Sequence, residues 1–274
     1  MDPDTQDRIR SLALAGACTA FIAVPNVGAL IGEGEQTERY DTVLTPPNYA
    51  FVVWAPIFAG CALSTVGQCA PDGRRLALSR RTGWPLVGAY ATNALWSLAA
   101  QSDRFTLTPL LLPTAAAFAA AAHVRLQDLP AEADHGFARV TPVSTGLLLG
   151  WTTLASAVNI AAGANLAAAQ KTSPSTVRAS VAGLIGVGAA VAAGVAGSRR
   201  GAAALAATAG WGLLTTALTS SRPRSVRFAA AAGVSAIAAG LVTGVISERR
   251  AAVRTCDVPP GVRKRAWGCP PAGP

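Results

Sequence analysis

Long apolar stretches separated by short charged segments make up the pattern of this chain. The stretches are roughly 17 to 24 residues long, and about 20 apolar helical residues span a hydrocarbon core of about 30 Å. Because every backbone polar group inside lipid must be paired within the protein, such stretches should be helices. The pattern therefore predicts an all-α integral membrane protein.

Eight stretches meet this description, which predicts a bundle of eight transmembrane helices. They run over Ser11–Ile31, Tyr49–Gln68, Trp84–Ala100, Phe105–Val124, Val140–Ala162, Ala179–Ser198, Gly201–Ser220 and Phe228–Ser247. The division between the sixth and seventh spans depends on Arg199 and Arg200. One long re-entrant pair of segments is the alternative at that point.

The basic residues predict the orientation, since Lys and Arg are enriched in cytoplasmic loops. With the N-terminus inside, 16 of the 23 Lys and Arg residues lie in cytoplasmic segments and 7 lie outside. The segment Ser221 to Arg227, with three Arg, is the exception. Both termini are therefore expected in the cytoplasm, with the first span as an uncleaved anchor. Ala- and Arg-rich usage favours a bacterial inner membrane, and an organellar membrane is the alternative.

Composition narrows the function classes. Only 14% of the residues are charged, and the net charge of +9 comes from clusters that are not interleaved with aromatics. This pattern fits membrane topology and anionic lipid contacts better than nucleic-acid binding. No Asp, Glu, Lys or Arg lies centrally in a span, which argues against an ion-coupled transporter or pump.

The motifs of enzymes and metal sites are also missing from the sequence. There is no GxSxG, HExxH or Walker A motif, and the five Cys and two His lack zinc-ligand spacing. We therefore expect no catalytic residue, no metal site and no enzymatic activity.

Three short runs place aromatic and polar residues on one face of an apolar helix. They contribute Phe51, Trp54 and Phe58 in the second span, Asn93 and Trp96 in the third, and Trp151, Ala155 and Asn159 in the fifth. Spacings of three, four and seven residues share a helix face, and such faces suit a flat, largely apolar ligand. Interhelical hydrogen bonding by the Asn residues and an interfacial belt of Trp residues, which Trp84 fits, are the structural alternatives.

These runs resemble the motifs of the TspO/MBR family, the tryptophan-rich sensory or translocator proteins. The stretch from Thr45-Pro46-Pro47 to Trp54 is similar to the family's first loop and second helix. Asn93 to Ser97 resembles its Asn-x-x-Trp-Ser motif, and Pro142, Trp151, Ala155 and Asn159 resemble its fifth-helix motif. The resemblance covers about Ser11 to Gly163, and the added C-terminal spans resemble the longer branch of the family.

The resemblance implies a five-helix bundle around a pocket that the first extramembrane loop caps. It implies binding of a porphyrin such as protoporphyrin IX or of a sterol-like lipid, no required cofactor, and dimers. The implied pocket residues are Pro47, Phe51, Trp54, Asn93, Trp96, Trp151 and Asn159. The segment Ile160 to Gly163 lacks the Trp often found after the fifth-helix Asn, which argues against porphyrin-degrading chemistry.

The chain is thus expected to contain four parts. These are a cytoplasmic N-terminus (1–10), a TspO-like five-helix domain (11–163), three further spans that act as packing helices (164–248), and a disordered basic tail (249–274). A ligand-binding or sensory membrane protein is the leading hypothesis. A structural or assembly subunit of a membrane complex and a facilitator of lipophilic small-molecule transport are the alternatives. Expected partners are membrane lipid, an apolar small molecule, and a second copy or another subunit.

Overall fold

The computed structural model describes residues 2–30, 40–102, 104–130, 136–164 and 166–256. The described chain is helical, with no strand in those ranges. Its α-helices are α1 Pro3–Leu30, α2 Trp54–Cys69, α3 Ala77–Gln101, α4 Thr108–Gln127, α5 Thr141–Gly163, α6 Ala168–Lys171, α7 Pro174–Ala196, α8 Ala202–Leu218 and α9 Arg224–Cys256. Short 3-10 helices cover Asn48–Val53, Gly73–Arg75, Phe105–Leu107 and Gly136–Val140.

Local sequence signals explain where several helices begin. Pro109, Pro142 and Pro174 lie in the first turns of α4, α5 and α7, where a missing N–H breaks no intrahelical bond. The Ser173 side chain caps α7 by accepting a hydrogen bond from the backbone N–H of Thr176. Gly201, with φ +77°, makes the left-handed turn before α8. The sixth and seventh predicted spans are therefore two separate helices.

Six described helical segments are long and apolar enough to cross a membrane. They begin at Pro3, Asn48, Thr108, Gly136, Pro174 and Arg224. Helix α3 has 25 residues but a lower hydropathy, because polar residues such as Asn93 and Ser97 lie along it. Helix α8 is apolar but has only 17 residues. The eight predicted helices are thus present, and six of them have the length and hydropathy of a span.

The helices pack around two hydrophobic cores that share α5. Helices α1 to α5 surround one core, which includes Leu14, Ile57, Leu86 and Trp151. Helices α5, α7, α8 and α9 surround the other, which includes Leu154, Leu184, Leu213 and Ile237. Helix α5 contacts α4 on one side and α8 on the other. It therefore joins the first five helices to the last three.

Polar contacts mark the two ends of the bundle. At the end that holds the N-terminus, Asp7 pairs with Arg10 and Arg80, and the Gln127 side chain accepts hydrogen bonds from the N–H groups of Arg199 and Arg200. At the opposite end, residues 40–47 lie over the helix ends. We call this segment the cap segment and this end the capped end. Loops assigned to the same side of the membrane by the sequence therefore meet in the structure.

The C-terminal helix extends further than its predicted span. Helix α9 continues to Cys256, nine residues past Ser247, so the first part of the predicted disordered tail is helical. Ala251, Ala252 and Arg254 are good helix formers, which lets the hydrogen-bond ladder continue beyond the apolar stretch. The rest of the predicted tail, residues 257–274, lies outside the described residues.

Candidate functional site

A partly open cavity of about 70 Å³ lies beneath the cap segment, between α2, α3 and α5. We call it the aromatic cavity, since three Trp residues line it. Its walls are Tyr40, Thr45, Pro46, Phe51, Trp54, Trp96, Trp151, Leu154, Ala155, Val158, Asn159 and Ala162. The cap segment supplies the first three of these residues, and α5 supplies six.

Six of the nine residues named from the sequence line this cavity. They are Phe51, Trp54, Trp96, Trp151, Ala155 and Asn159. The three sequence runs, which lie up to about a hundred residues apart in the chain, therefore converge on one space. Whether these residues bind a ligand stays a prediction.

The other three predicted residues lie elsewhere. Phe58 and Asn93 line a second cavity of about 380 Å³, on the side of α2 that faces α1. We call it the amide cavity, since Asn26, Asn48 and Asn93 also line it together with Ser97. Pro47 lines neither cavity, and instead its extended backbone leads into the helix that begins at Asn48.

Trp54 forms the wall between the two cavities. Its ring stacks on Phe58 at a centroid distance of 5.3 Å and lies 6.5 Å from the ring of Trp96 and 6.1 Å from that of Trp151. Phe51 meets Trp151 edge to face at 5.6 Å. Offset-stacked and edge-to-face pairs in this range are favourable. Phe51, Trp54 and Trp96 line both cavities, so the same aromatic wall serves two spaces.

A hydrogen bond between side chains fixes the position of α3 relative to α5. The indole Nε1–H of Trp96 donates to Oδ1 of Asn159 at 2.8 Å, and Asn159 Nδ2 donates to the carbonyl of Ala155 at 2.9 Å. Asn159 is buried, so its amide needs these partners. The two Asn interpretations raised by the sequence are compatible here, because Asn159 joins two helices and also lines the cavity.

Two buried polar atoms in the same region lack a partner. Asn93 donates through Nδ2 to the carbonyl of Ala89, but its Oδ1 has no hydrogen-bond partner among the described residues. The indole N–H of Trp151 is likewise without a partner in the described ranges. Buried polar atoms are usually paired, and exceptions call for an explanation.

Arg222, in the turn between α8 and α9, holds the cap segment. Its Nη1 and Nη2 donate to the two carboxylate oxygens of Asp41 at 2.9 and 2.8 Å, and Nη2 also donates to the carbonyl of Thr45. Val43 and Leu44 of the cap segment are buried in the core formed by α7 to α9. The Arg-rich turn that contradicted the orientation rule thus has a structural role.

Trp211 links α8 to the entry of α2. Its indole N–H donates to the carbonyl of Ala50 at 2.8 Å, and its ring lies edge to face with Tyr49 at 6.2 Å. Ala50 belongs to the 3-10 helix that carries Phe51. The sequence predicted only a packing role for the last three spans. The single Trp within them was the one available signal of a more specific contact.

Two further cavities lie around α7. One, of about 330 Å³, lies between the cap segment, α5 and α7, and Lys171, Thr176 and Ser180 line it. The other, of about 530 Å³, lies between α4, α5 and α7. There His123 is buried, and its Nε2 lies 2.8 Å from the Ser198 hydroxyl. No group of three or more His, Cys, Asp or Glu within the described ranges is arranged to hold a metal ion.

Comparison with known proteins identifies a family. A family model described as TSPO-like protein matches residues 12–244. The match extends beyond Gly163, where the sequence resemblance ended, and includes α7, α8 and most of the apolar part of α9. No curated protein and no solved structure matches the chain at a significant level.

Proposed function

The chain belongs to the TSPO-like protein family, and on that premise we propose that it is a TspO-type membrane protein that binds a flat, largely apolar small molecule. The ligand class is a porphyrin or a sterol-like lipid, and the site is the aromatic cavity. The observation that carries this proposal is the convergence of Phe51, Trp54, Trp96 and Trp151 on one cavity. Aromatic walls with few polar groups are typical of sites for such ligands.

The aromatic cavity is too small for such a ligand unless a side chain moves. Ligand pockets usually measure about 300 to 1,000 Å³, well above the 70 Å³ of the aromatic cavity. The amide cavity, of 380 Å³, lies on the other side of Trp54. Because the Trp54 side chain is only half-buried, rotation of its ring would join the two spaces. We therefore propose that ligand entry displaces Trp54 and opens a single chamber.

We further propose that all eight long helices span the membrane, with both termini in the cytoplasm of a bacterial cell. The distribution of Lys and Arg supports this orientation. The pairing of Arg222 with Asp41 supports the order of the spans, because it joins two loops that this topology assigns to the same side of the membrane. The short α8 is compatible with a span where it packs between α5 and α9.

The proposal is tested by titrating the protein in lipid nanodiscs with protoporphyrin IX. Porphyrin absorbance reports binding, so that loss of a Trp does not remove the signal. Trp54→Ala and Trp151→Ala should each weaken binding by about tenfold or more, since truncating a buried aromatic in a binding site costs on the order of 2 kcal/mol. Trp84→Ala is the matched control, because Trp84 is exposed on α3 and lines neither cavity. It should bind as the wild type does.

Equal binding by all four proteins would contradict the proposal, as would a lack of saturable binding of both protoporphyrin IX and its dimethyl ester. A structural subunit is then the second candidate. Gly186 on the outer face of α7 has no other atom within 4 Å of where a Cβ would lie. Such an open small-residue position fits close approach by a helix of another subunit or of a second copy. Co-purification of a fixed partner that Gly186→Leu removes would support that function.

A further inference from the structure

The two cavities that share the aromatic wall also share an electrostatic property. Within the described ranges, no Asp, Glu, Lys, Arg or His lines either of them. Their polar groups are side-chain amides, hydroxyls and indole N–H groups, all of which are neutral. A site for a ligand with a permanent charge normally pairs that charge, because burying an unpaired ion in an apolar site is costly. The described walls of the two cavities contain no such partner.

The guanidinium nearest in the contact network does not change this property. Arg222 donates to the carbonyl of Thr45, whose residue lines the aromatic cavity. Both of its terminal nitrogens are also engaged by the carboxylate of Asp41, and the pair is neutral as a unit. A ligand carboxylate that competed for these two nitrogens would have to displace Asp41 and release the cap segment. The third nitrogen, Nε, is buried and has no partner among the described residues. The two terminal nitrogens of Arg222 are therefore poor partners for an anionic ligand.

Side-chain amides supply the hydrogen bonds instead. Asn159 lines the aromatic cavity, and Asn26, Asn48 and Asn93 line the amide cavity. The Oδ1 of buried Asn93 has no partner among the described residues, and an oxygen of this kind accepts a hydrogen bond. It would pair with an N–H or O–H of a ligand. An ionised carboxylate has no proton to donate, so it would face this oxygen unfavourably.

From these observations we propose that the chamber selects an uncharged ligand, a flat apolar molecule whose polar groups are neutral hydrogen-bonding groups such as hydroxyl, pyrrole N–H or ester. This inference depends on the proposed ligand-binding function and specifies its ligand class. It predicts that a neutral porphyrin diester binds more tightly than the corresponding diacid. The ring system is the same in both molecules, so the comparison isolates the charge.

One cation lies close enough to require its own control. Lys171 lines the neighbouring cavity between α5 and α7, which shares Tyr40 and Ala162 with the aromatic cavity. A carboxylate that reached through this shared wall would meet Lys171. The variant Lys171→Gln removes the charge and keeps a side chain of similar length. The preference for the diester should be the same in Lys171→Gln as in the wild type.

The experiment compares protoporphyrin IX with its dimethyl ester, each titrated into the full-length protein in nanodiscs of uncharged phosphatidylcholine. The wild type should bind the diester at least about tenfold more tightly, given the cost of desolvating unpaired carboxylates. Asn26→Lys adds a cation to the exposed edge of the amide cavity and should narrow this ratio by tightening diacid binding. Val27→Lys is the matched control, since Val27 is exposed beside Asn26 but does not line either cavity. It should leave the ratio unchanged.

The possible results distinguish failure of this inference from failure of the proposed binding function. Equal or tighter binding of the diacid, lost in Trp54→Ala, would overturn the selection of an uncharged ligand and leave the binding function standing. Diacid binding that Lys171→Gln abolishes would overturn it in the same way and would identify the cation that pairs the carboxylate. If neither porphyrin saturates the protein, the binding function fails and the inference fails with it.

Discussion

The first five helices and the last three pack in different ways. Helices α1 to α5 enclose two cavities beside a cluster of large aromatic rings, and buried polar atoms of Asn93 and Trp151 lack partners among the described residues. Helices α7 to α9 instead approach each other through small residues. A Cβ added at Gly188 of α7 would lie 2.6 Å from the Cα of Gly233 in α9. The first region leaves space beside its aromatic rings, whereas α7 and α9 leave almost none where they meet.

This difference assigns the two regions different roles. Close packing of small residues is a stable way to join helices in lipid, where no hydrophobic effect drives association. The closely packed region then holds the open one, through Arg222 on the cap segment and Trp211 on the entry of α2. In the proposed function, this frame fixes the cap segment and the entry of α2 beside the cavity that receives the ligand. Substitutions in each region separately test whether the two regions differ in this way.

The largest effect is expected at the contact between α7 and α9. Gly188→Leu forces a side chain against the backbone at Gly233, and overpacking of this kind costs about 1–3 kcal/mol. Gly186→Leu, two residues away, points into open space and should change stability little. Thermal unfolding in detergent measures both. Equal melting temperatures for the two variants would contradict close packing of α7 against α9.

An intermediate effect is expected at the bond between α3 and α5. Asn159→Leu removes the acceptor of the Trp96 indole N–H, and interhelical hydrogen bonds of this kind contribute about 0.6 to 2 kcal/mol. Ligand affinity should fall by about thirtyfold at the upper end of that range, because Trp96 loses its fixed orientation in the cavity wall. The melting temperature should fall less than in Gly188→Leu. Unchanged affinity would mean that the aromatic wall does not depend on this bond.

The smallest effect is expected at the cap segment. Arg222→Gln removes the bidentate pair with the half-exposed Asp41, a contact that contributes about 1 kcal/mol or less. Ligand association and dissociation should both become roughly fivefold faster, with a small change in affinity, because the cap segment opens more often. Stopped-flow measurement of porphyrin binding tests this, with exposed Arg224→Gln as the matched control. Unchanged rates would show that ligand does not pass the cap segment.

The sequence predicted the helices and their faces well, since each depends on local periodicity. Trp151, Ala155 and Asn159 do share the cavity-facing side of α5, as their spacing indicated. It could not predict which neighbour each face meets. Asn93 lines only the amide cavity, whereas Trp96, on the same helix, lines both the amide cavity and the aromatic cavity.

The contacts of the last three helices could not be predicted in the same way. Asp41 and Arg222 are 181 positions apart, and no local pattern links them. Trp211 and Ala50 are 161 positions apart, and the acceptor is a backbone carbonyl that the sequence does not distinguish. The eight predicted helices were nevertheless found because charge placement and apolar length act at short range. Long-range pairs require the folded structure.

The position of a bound ligand relative to the tryptophans tests the proposed binding chamber most directly. The protein contains six Trp, and 5-fluorotryptophan labelling gives each its own fluorine resonance, assigned by single Trp→Phe variants. Protoporphyrin IX dimethyl ester should shift the resonances of Trp54, Trp96 and Trp151 through its ring current. Trp84, about 18 Å along α3 from Trp96, should keep its position. Shifts at Trp84 alone, or equal shifts at every Trp, would contradict a binding chamber between α2, α3 and α5.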